Sequence, residues 1–72
     1  MIHITGLDML NKRTSMGLNQ TQFWAAVGVH QSTGSRYESG RDIPKPTQIC
    51  LAAKYGDKRQ QRKALEILGV SA

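Results

Sequence analysis

A chain of 72 residues carrying ten Lys and Arg against five Asp and Glu, a formal net charge of +5, has the size of one small basic domain. Such a domain buries only about 60% of the surface its unfolded chain exposes, too little to house a deep catalytic cleft, so enzyme activity is disfavoured and an anionic partner favoured. The lone cysteine, Cys50, excludes an internal disulfide. With no apolar run of about 18 residues and no signal-peptide pattern, the chain is expected in a reducing cytoplasm without a membrane partner.

In chain order the punctuation predicts five helices. Thr5 followed by Asp8 forms a capping box, Leu7, Leu10 and Met16 recur at near-helical spacing, and Gly17 ends a first helix over residues 6–16. Asn19, with Gln22 three residues on, caps a second helix over 20–27 that Gly28 stops. A third runs over 31–39 and is closed by Gly40. The two prolines between Arg41 and Pro46 predict a loop, after which Thr47 caps a fourth helix over 48–55 ending near Gly56. Asp57 caps a fifth over 58–68, and only residues 1–4 read as a candidate strand. No repeat, low-complexity tract or linker interrupts the chain, which is read as a single domain over 1–72.

The third helix sorts its residues onto two chemically opposite faces. At about 100° per residue, Gln31, Ser32, Ser35, Arg36 and Ser39 share one arc, and His30, Thr33, Gly34 and Tyr37 share the other. A merely solvated face would mix Lys and Glu. Gln, Ser and Arg are instead the side chains that match base edges in a DNA major groove, so this segment reads as a recognition helix following a tight turn from the second.

From about Leu10 to Gly56 the chain resembles the Cro and repressor class of helix-turn-helix regulators, the xenobiotic response element family. The resemblance rests on Gln20, the Gly28–Val29 pair, Ser32, Thr33, Ser35, Arg36, Tyr37, Glu38 and Gly40. It implies an all-α, five-helix lambda-repressor-like DNA-binding domain with the helix-turn-helix at about residues 20–39. The helix beginning at Gln20 would lie across the DNA backbone and the helix from Gln31 to Ser39 would enter the major groove, as one half of a symmetric dimer.

Two positions depart from the family's pattern. Trp24 stands where a small residue is usual, and Gly34 where a β-branched or apolar one is usual. In the family these sites face each other where the two helices cross, so the exchange of large and small is expected to conserve volume across the crossing. The family also pairs a basic residue late in the first helix with an acid late in the recognition helix. Arg13 and Glu38 hold those positions and are expected to form a structural pair, since an unneutralised carboxylate there would repel phosphates.

Roles on the expected binding face follow from chemistry. Gln31 can present its amide to adenine, Arg36 can reach guanine or a phosphate, and Ser32 and Ser35 can serve several bases. Asn19 and Gln20 are expected at phosphate near the start of the second helix, with Ser39, Arg41 and Lys45 as further backbone contacts. His3 and His30 lack partners at metal or triad spacing, so no metal, cofactor or catalytic residue is expected, and His30 should start the third helix. Cys50 reads as a small buried hydrophobe, and Ile43, Ile49, Ala52, Ala53, Leu65 and Leu68 as core.

The fifth helix opens on Lys58, Arg59, Gln60, Gln61, Arg62 and Lys63 and closes on mostly apolar residues. Its cations lie at the wrong end for the helix dipole, so either Asp57 offsets them or they serve an anion. Its apolar end suggests a homodimer seam at Ile67 and Val70, the other reading being a capping helix on a monomer. The whole reads as a sequence-specific double-stranded-DNA-binding repressor of phage or mobile-element type in the bacterial cytosol, homodimeric on an inverted repeat. With no ligand-binding domain, its control would lie in concentration, operator affinity or a partner chain. The alternatives are an antitoxin, an autoregulator beside a defence or anti-defence gene, or a helix-turn-helix protein-interaction module without DNA binding.

Overall fold

The computed structural model describes residues 2–69, which form five helices and no strand among them: α1 (Gly6–Met16), α2 (Gln20–Ala25), α3 (Gln31–Glu38), α4 (Lys45–Tyr55) and α5 (Lys58–Leu68). The chain forms two compact units. One runs from Thr5 to Ile43, and the other joins the N-terminal residues through Ile4 to the chain from Pro44 onward.

In the first unit α1 and α2 both pack on α3. Each start and stop has a local cause. Thr5 caps α1 with Asp8 reciprocating, and the chain leaves α1 through Gly17 at φ 70°, where the Leu18 N–H reaches back to the Arg13 carbonyl. The second helix is two residues shorter than its sequence pattern suggests. Val27 and Gly28 donate to the carbonyls three residues back, Trp24 and Ala25, so the last turn tightens before Gly28 turns the chain at φ 75°. His30 then caps α3 through Nδ1, which accepts the Ser32 N–H at 3.2 Å. Gly6 sits where a Cβ would run into the Tyr37 carbonyl, so the backbones of α1 and α3 touch there with no side chain between them.

Phe23 and Trp24 are fully buried and Tyr37 nearly so. Their rings interlock, with centroids 5.4 Å apart for Phe23 and Trp24 and 5.6 Å for Trp24 and Tyr37. The indole lies directly on Gly34. A Cβ added there would fall inside the ring, 2.7 Å from Cδ2 and nearer still to Cγ and Cδ1. Trp24 and Gly34 therefore share one volume across the α2–α3 crossing.

In the second unit Ile2 and Ile4 are buried in an extended segment tied to α4. The Ile4 N–H donates to Gln48 Oε1 at 2.9 Å, and Lys45 Nζ donates to the Ile2 carbonyl at 2.9 Å. The fourth helix begins earlier than expected, at Lys45 instead of after Thr47. Pro46 is tolerated because first-turn N–H groups have no partner inside a helix, and the extended Pro44 precedes it. The buried side of α4 is Gln48, Leu51, Ala52 and Tyr55, spaced by three and four. Cys50 falls off that face and is exposed, against the expectation of burial.

Ile43 and Ala52 are core as expected, and Ile49, Ala53 and Leu65 are partly buried. Leu68 is half exposed instead, because burial on α5 is concentrated on Ala64 and fades through the last turn. Asp57 and Gln60 form the capping box that starts α5. Val70, one of the two expected seam residues, lies outside the described residues.

The shared volume at the crossing makes a quantitative prediction. Gly34→Ile should destabilise by about 1 to 3 kcal/mol despite better helix propensity, because the indole must move. Trp24→Ala should cost about 3 to 5 kcal/mol through the cavity it leaves. Combining the two should recover part of both losses, and a double-mutant cycle by urea denaturation measures the coupling. Additive losses would show that the two sites do not share space.

Candidate nucleic-acid interface

The surface of α3 divides along the two arcs of its sequence except at Ser35, which is half-buried on the polar arc, and at the cap His30, which is exposed on the other. Gly34 and Tyr37 are buried, Thr33, Ser35 and Glu38 are half-buried, and Gln31, Ser32, Arg36 and Ser39 are exposed. The exposed face is thus built from amide, hydroxyl and guanidinium groups on a helix whose reverse side is anchored by the indole and the Tyr37 ring.

Beneath that face lies one carboxylate with four donors. Arg13 Nε donates to Glu38 Oε2 and Nη2 to Oε1, both at 2.9 Å, a bidentate ion pair. Trp24 Nε1 adds a bond of 2.7 Å to Oε2, and Gln20 Nε2 one of 3.1 Å to Oε1. The Glu38 side chain is only 5% exposed. Burial pushes its carboxyl up, but the bonds from Arg13, Trp24 and Gln20 and the Arg13 charge outweigh this and hold it below the ordinary value. The same bond raises the Arg13 guanidinium. Arg13 also donates through Nη1 to the Leu18 carbonyl at 3.1 Å, which ties α1, the turn after it and α3 together.

The network reaches the surface through two glutamines. Gln20, the first residue of α2, donates to Glu38 and accepts from Gln31, the first residue of α3, whose Nε2 approaches Gln20 Oε1 to 2.7 Å. Gln31 is therefore oriented from below, with its Oε1 and second amide hydrogen left for an outside partner. Neither the Gln31–Gln20 bond nor the indole bond to Glu38 was part of the sequence reading. The signals were there, since both glutamines open their helices and a buried Trp N–H needs an acceptor.

The remaining candidates are scattered in their commitments. Asn19 is spent as the N-cap of α2, its Oδ1 accepting the Gln22 N–H at 2.8 Å. Ser32 Oγ lies 2.9 Å from His30 Nδ1. The Ser39 hydroxyl donates to the Ser35 carbonyl at 3.0 Å, so its hydrogen is held within the helix. Arg36 and Arg41 are exposed, and their guanidinium groups make no hydrogen bond among the described residues. Lys45 belongs to the other unit, where its ammonium is bonded to Ile2.

Two short helices joined by a glycine turn, the second presenting a polar face, define a helix-turn-helix DNA-binding protein. The family described as the RsaL-like helix-turn-helix domain matches residues 10–52, more than half of the chain, and the chain belongs to that family. Comparisons with curated proteins and with solved structures gave no match. Among the described residues no helix is long and apolar enough to cross a membrane, and no three His, Cys, Asp or Glu side chains cluster to hold a metal ion.

Because the folded Glu38 carboxyl titrates low, its contribution to stability is present above the ordinary value of 4.5 and is lost as pH falls through the lowered value. Wild-type stability should therefore drop below that pH. Glu38→Gln should cost about 3 kcal/mol or more near neutrality by leaving the Arg13 charge uncompensated, and its pH dependence below 4.5 should flatten. Thermal unfolding of both proteins between pH 3 and 7 on the order of one unit apart would show it; parallel acid limbs would mean that Glu38 does not carry the effect.

Proposed function

We propose that the chain is a repressor of phage or mobile-element type that binds an inverted-repeat operator as a homodimer, with α3 in the major groove. It would act by steric occlusion of the promoter, in the manner of the Cro and repressor proteins its motif resembles. The observation that carries this reading is the relay from Glu38 through Gln20 to Gln31. A surface glutamine held at the start of a helix by a bond of 2.7 Å has lost rotamer freedom in advance, which is a cost that serves binding and does little for folding.

In this reading Gln31 Oε1 accepts from adenine N6 while its free amide hydrogen donates to N7. Arg36 takes guanine O6 and N7, and Ser32 and Ser35 contact neighbouring bases or backbone. Asn19, Gln20, Ser39, Arg41 and Lys45 are assigned to phosphates, with Arg41 the best supported because its guanidinium is exposed and uncommitted among the described residues. Dimerisation through α5 is supported by the half-exposed Ile67 and Leu68. The whole chain would act as one DNA-binding domain in the cytosol, controlled by its concentration or by a partner chain. Autoregulation as an antitoxin would use the same face.

Selection of bound genomic fragments gives the operator. On it, Gln31→Ala and Arg36→Ala should each lose about 1 to 3 kcal/mol and change base preference, whereas Arg41→Ala should weaken all sequences alike and lower the salt slope by about one unit. Unchanged binding and base preference in Gln31→Ala would exclude the assigned face. Light scattering checks assembly: the free protein should be a dimer, and Ile67→Asp a helical monomer, since an unpaired carboxylate in an apolar seam costs several kcal/mol, on the order of 3 or more.

A further inference from the structure

The positive charge of the chain does not sit where the recognition helix is. In the unit from Thr5 to Ile43, Lys12, Arg13, Arg36 and Arg41 face Asp8, Glu38 and Asp42, a net of +1. In the other unit Lys45, Lys54, Lys58, Arg59, Arg62 and Lys63 face only Asp57 and Glu66, a net of +4. Four of these cations are on α5.

Their arrangement is ordered. At about 100° per residue, Lys58, Arg62, Arg59 and Lys63 fall within one arc of roughly 140°, centred opposite the buried Ala64. All four are exposed. Lys58 and Arg62, and likewise Arg59 and Lys63, are one turn apart, about 6 Å along the axis, giving a two-by-two array of charges on flexible stems. Among the described residues, the one acid paired with this array is Glu66 at its C-terminal end, 4.0 Å from Lys63, and both side chains of that pair are more than half exposed. Asp57 is committed to the capping box. The array opposes the dipole of its own helix, and its four cations outnumber the two acids near them, Asp57 and Glu66, so it is sustained by something other than the stability of α5.

We infer that this face of α5 is a second DNA contact, a sequence-independent clamp on duplex phosphates separate from the base-reading face of α3. The inference rests on the DNA-binding reading above. Duplex DNA offers a negative charge about every 3.4 Å along each strand, a density that four closely spaced cations complement without fixed geometry. The arc carries no aromatic or apolar side chain that could anchor a protein partner or enter a bilayer, which leaves charge as its means of recognition. The lysines and arginines of α5 supply affinity, and α3 supplies discrimination.

The test is fluorescence anisotropy of a short mixed-sequence duplex against salt concentration, using the full chain. Replacing Lys58, Arg59, Arg62 and Lys63 together by Gln should make the slope of log K against log salt shallower by up to about 3.6 units, so that a fourfold rise in salt costs wild type roughly a hundredfold more affinity than the variant. The variant should keep its circular dichroism and melting temperature, because removing cations from the start of a helix relieves the dipole. Two milder variants, Lys58→Gln with Arg62→Gln and Arg59→Gln with Lys63→Gln, should each lose about half of that change, and Arg59→Lys with Arg62→Lys should lose none. A well-folded fourfold variant with the wild-type slope, beside a Gln31→Ala protein that does lose base preference, would overturn the clamp and leave the DNA reading standing. Wild type that binds no duplex at any salt would overturn both.

Discussion

The helix-turn-helix unit depends on a single buried carboxylate. Glu38 receives donors from α1 through Arg13 and from α2 through Trp24 and Gln20, so three helices meet on two oxygen atoms. In a domain with few large apolar residues this network does what a larger core would otherwise do, which is to select one arrangement of the helices. Buried ion pairs contribute little net stability when compared with apolar packing, but removing one partner is expensive, and that asymmetry makes the arrangement hard to replace piecemeal.

Close approach is the second constraint. Trp24 on Gly34 and the backbone contact at Gly6 both require the absence of a side chain. The glycine inside α3 costs up to about 1 kcal/mol in helix propensity relative to alanine. Burying an indole on the order of 200 Å² in area outweighs that cost several-fold, at about 25 cal/mol per Å². The indole then also spends its N–H on Glu38, so packing and polar network are the same object seen from two sides.

Much of this was legible in the sequence because the governing signals are local. Caps at Thr5, Asn19 and Asp57 and the glycine stops at 17 and 28 follow from short-range rules, and α1, α5 and the start of α2 appear where those rules put them, whereas α2 ends two residues early and α4 begins at Lys45. The resemblance added pairs distant in sequence, Arg13 with Glu38 and Trp24 with Gly34, that periodicity cannot supply. What escaped depended on long-range geometry. Gln48 is polar and reads as surface, yet it is buried because the extended segment at Ile4 needs an acceptor. Cys50 looked like core from its apolar neighbours, but a helix buries only one side of such a run. Thr47 looked like a cap, and Pro46 like a barrier, but a proline in the first turn of a helix removes only an N–H that has no partner there.

The relay beneath α3 also has a direction. An ionised carboxylate can only accept, and the low titration of Glu38 keeps it ionised. Gln20 must therefore turn its nitrogen inward and its oxygen outward, and Gln31 must answer that oxygen with nitrogen. A glutamine alone in water presents either end of its amide with equal ease. Here the sense of the outermost amide, which end gives a hydrogen and which receives one, is written at the bottom of the core and carried up through two side chains.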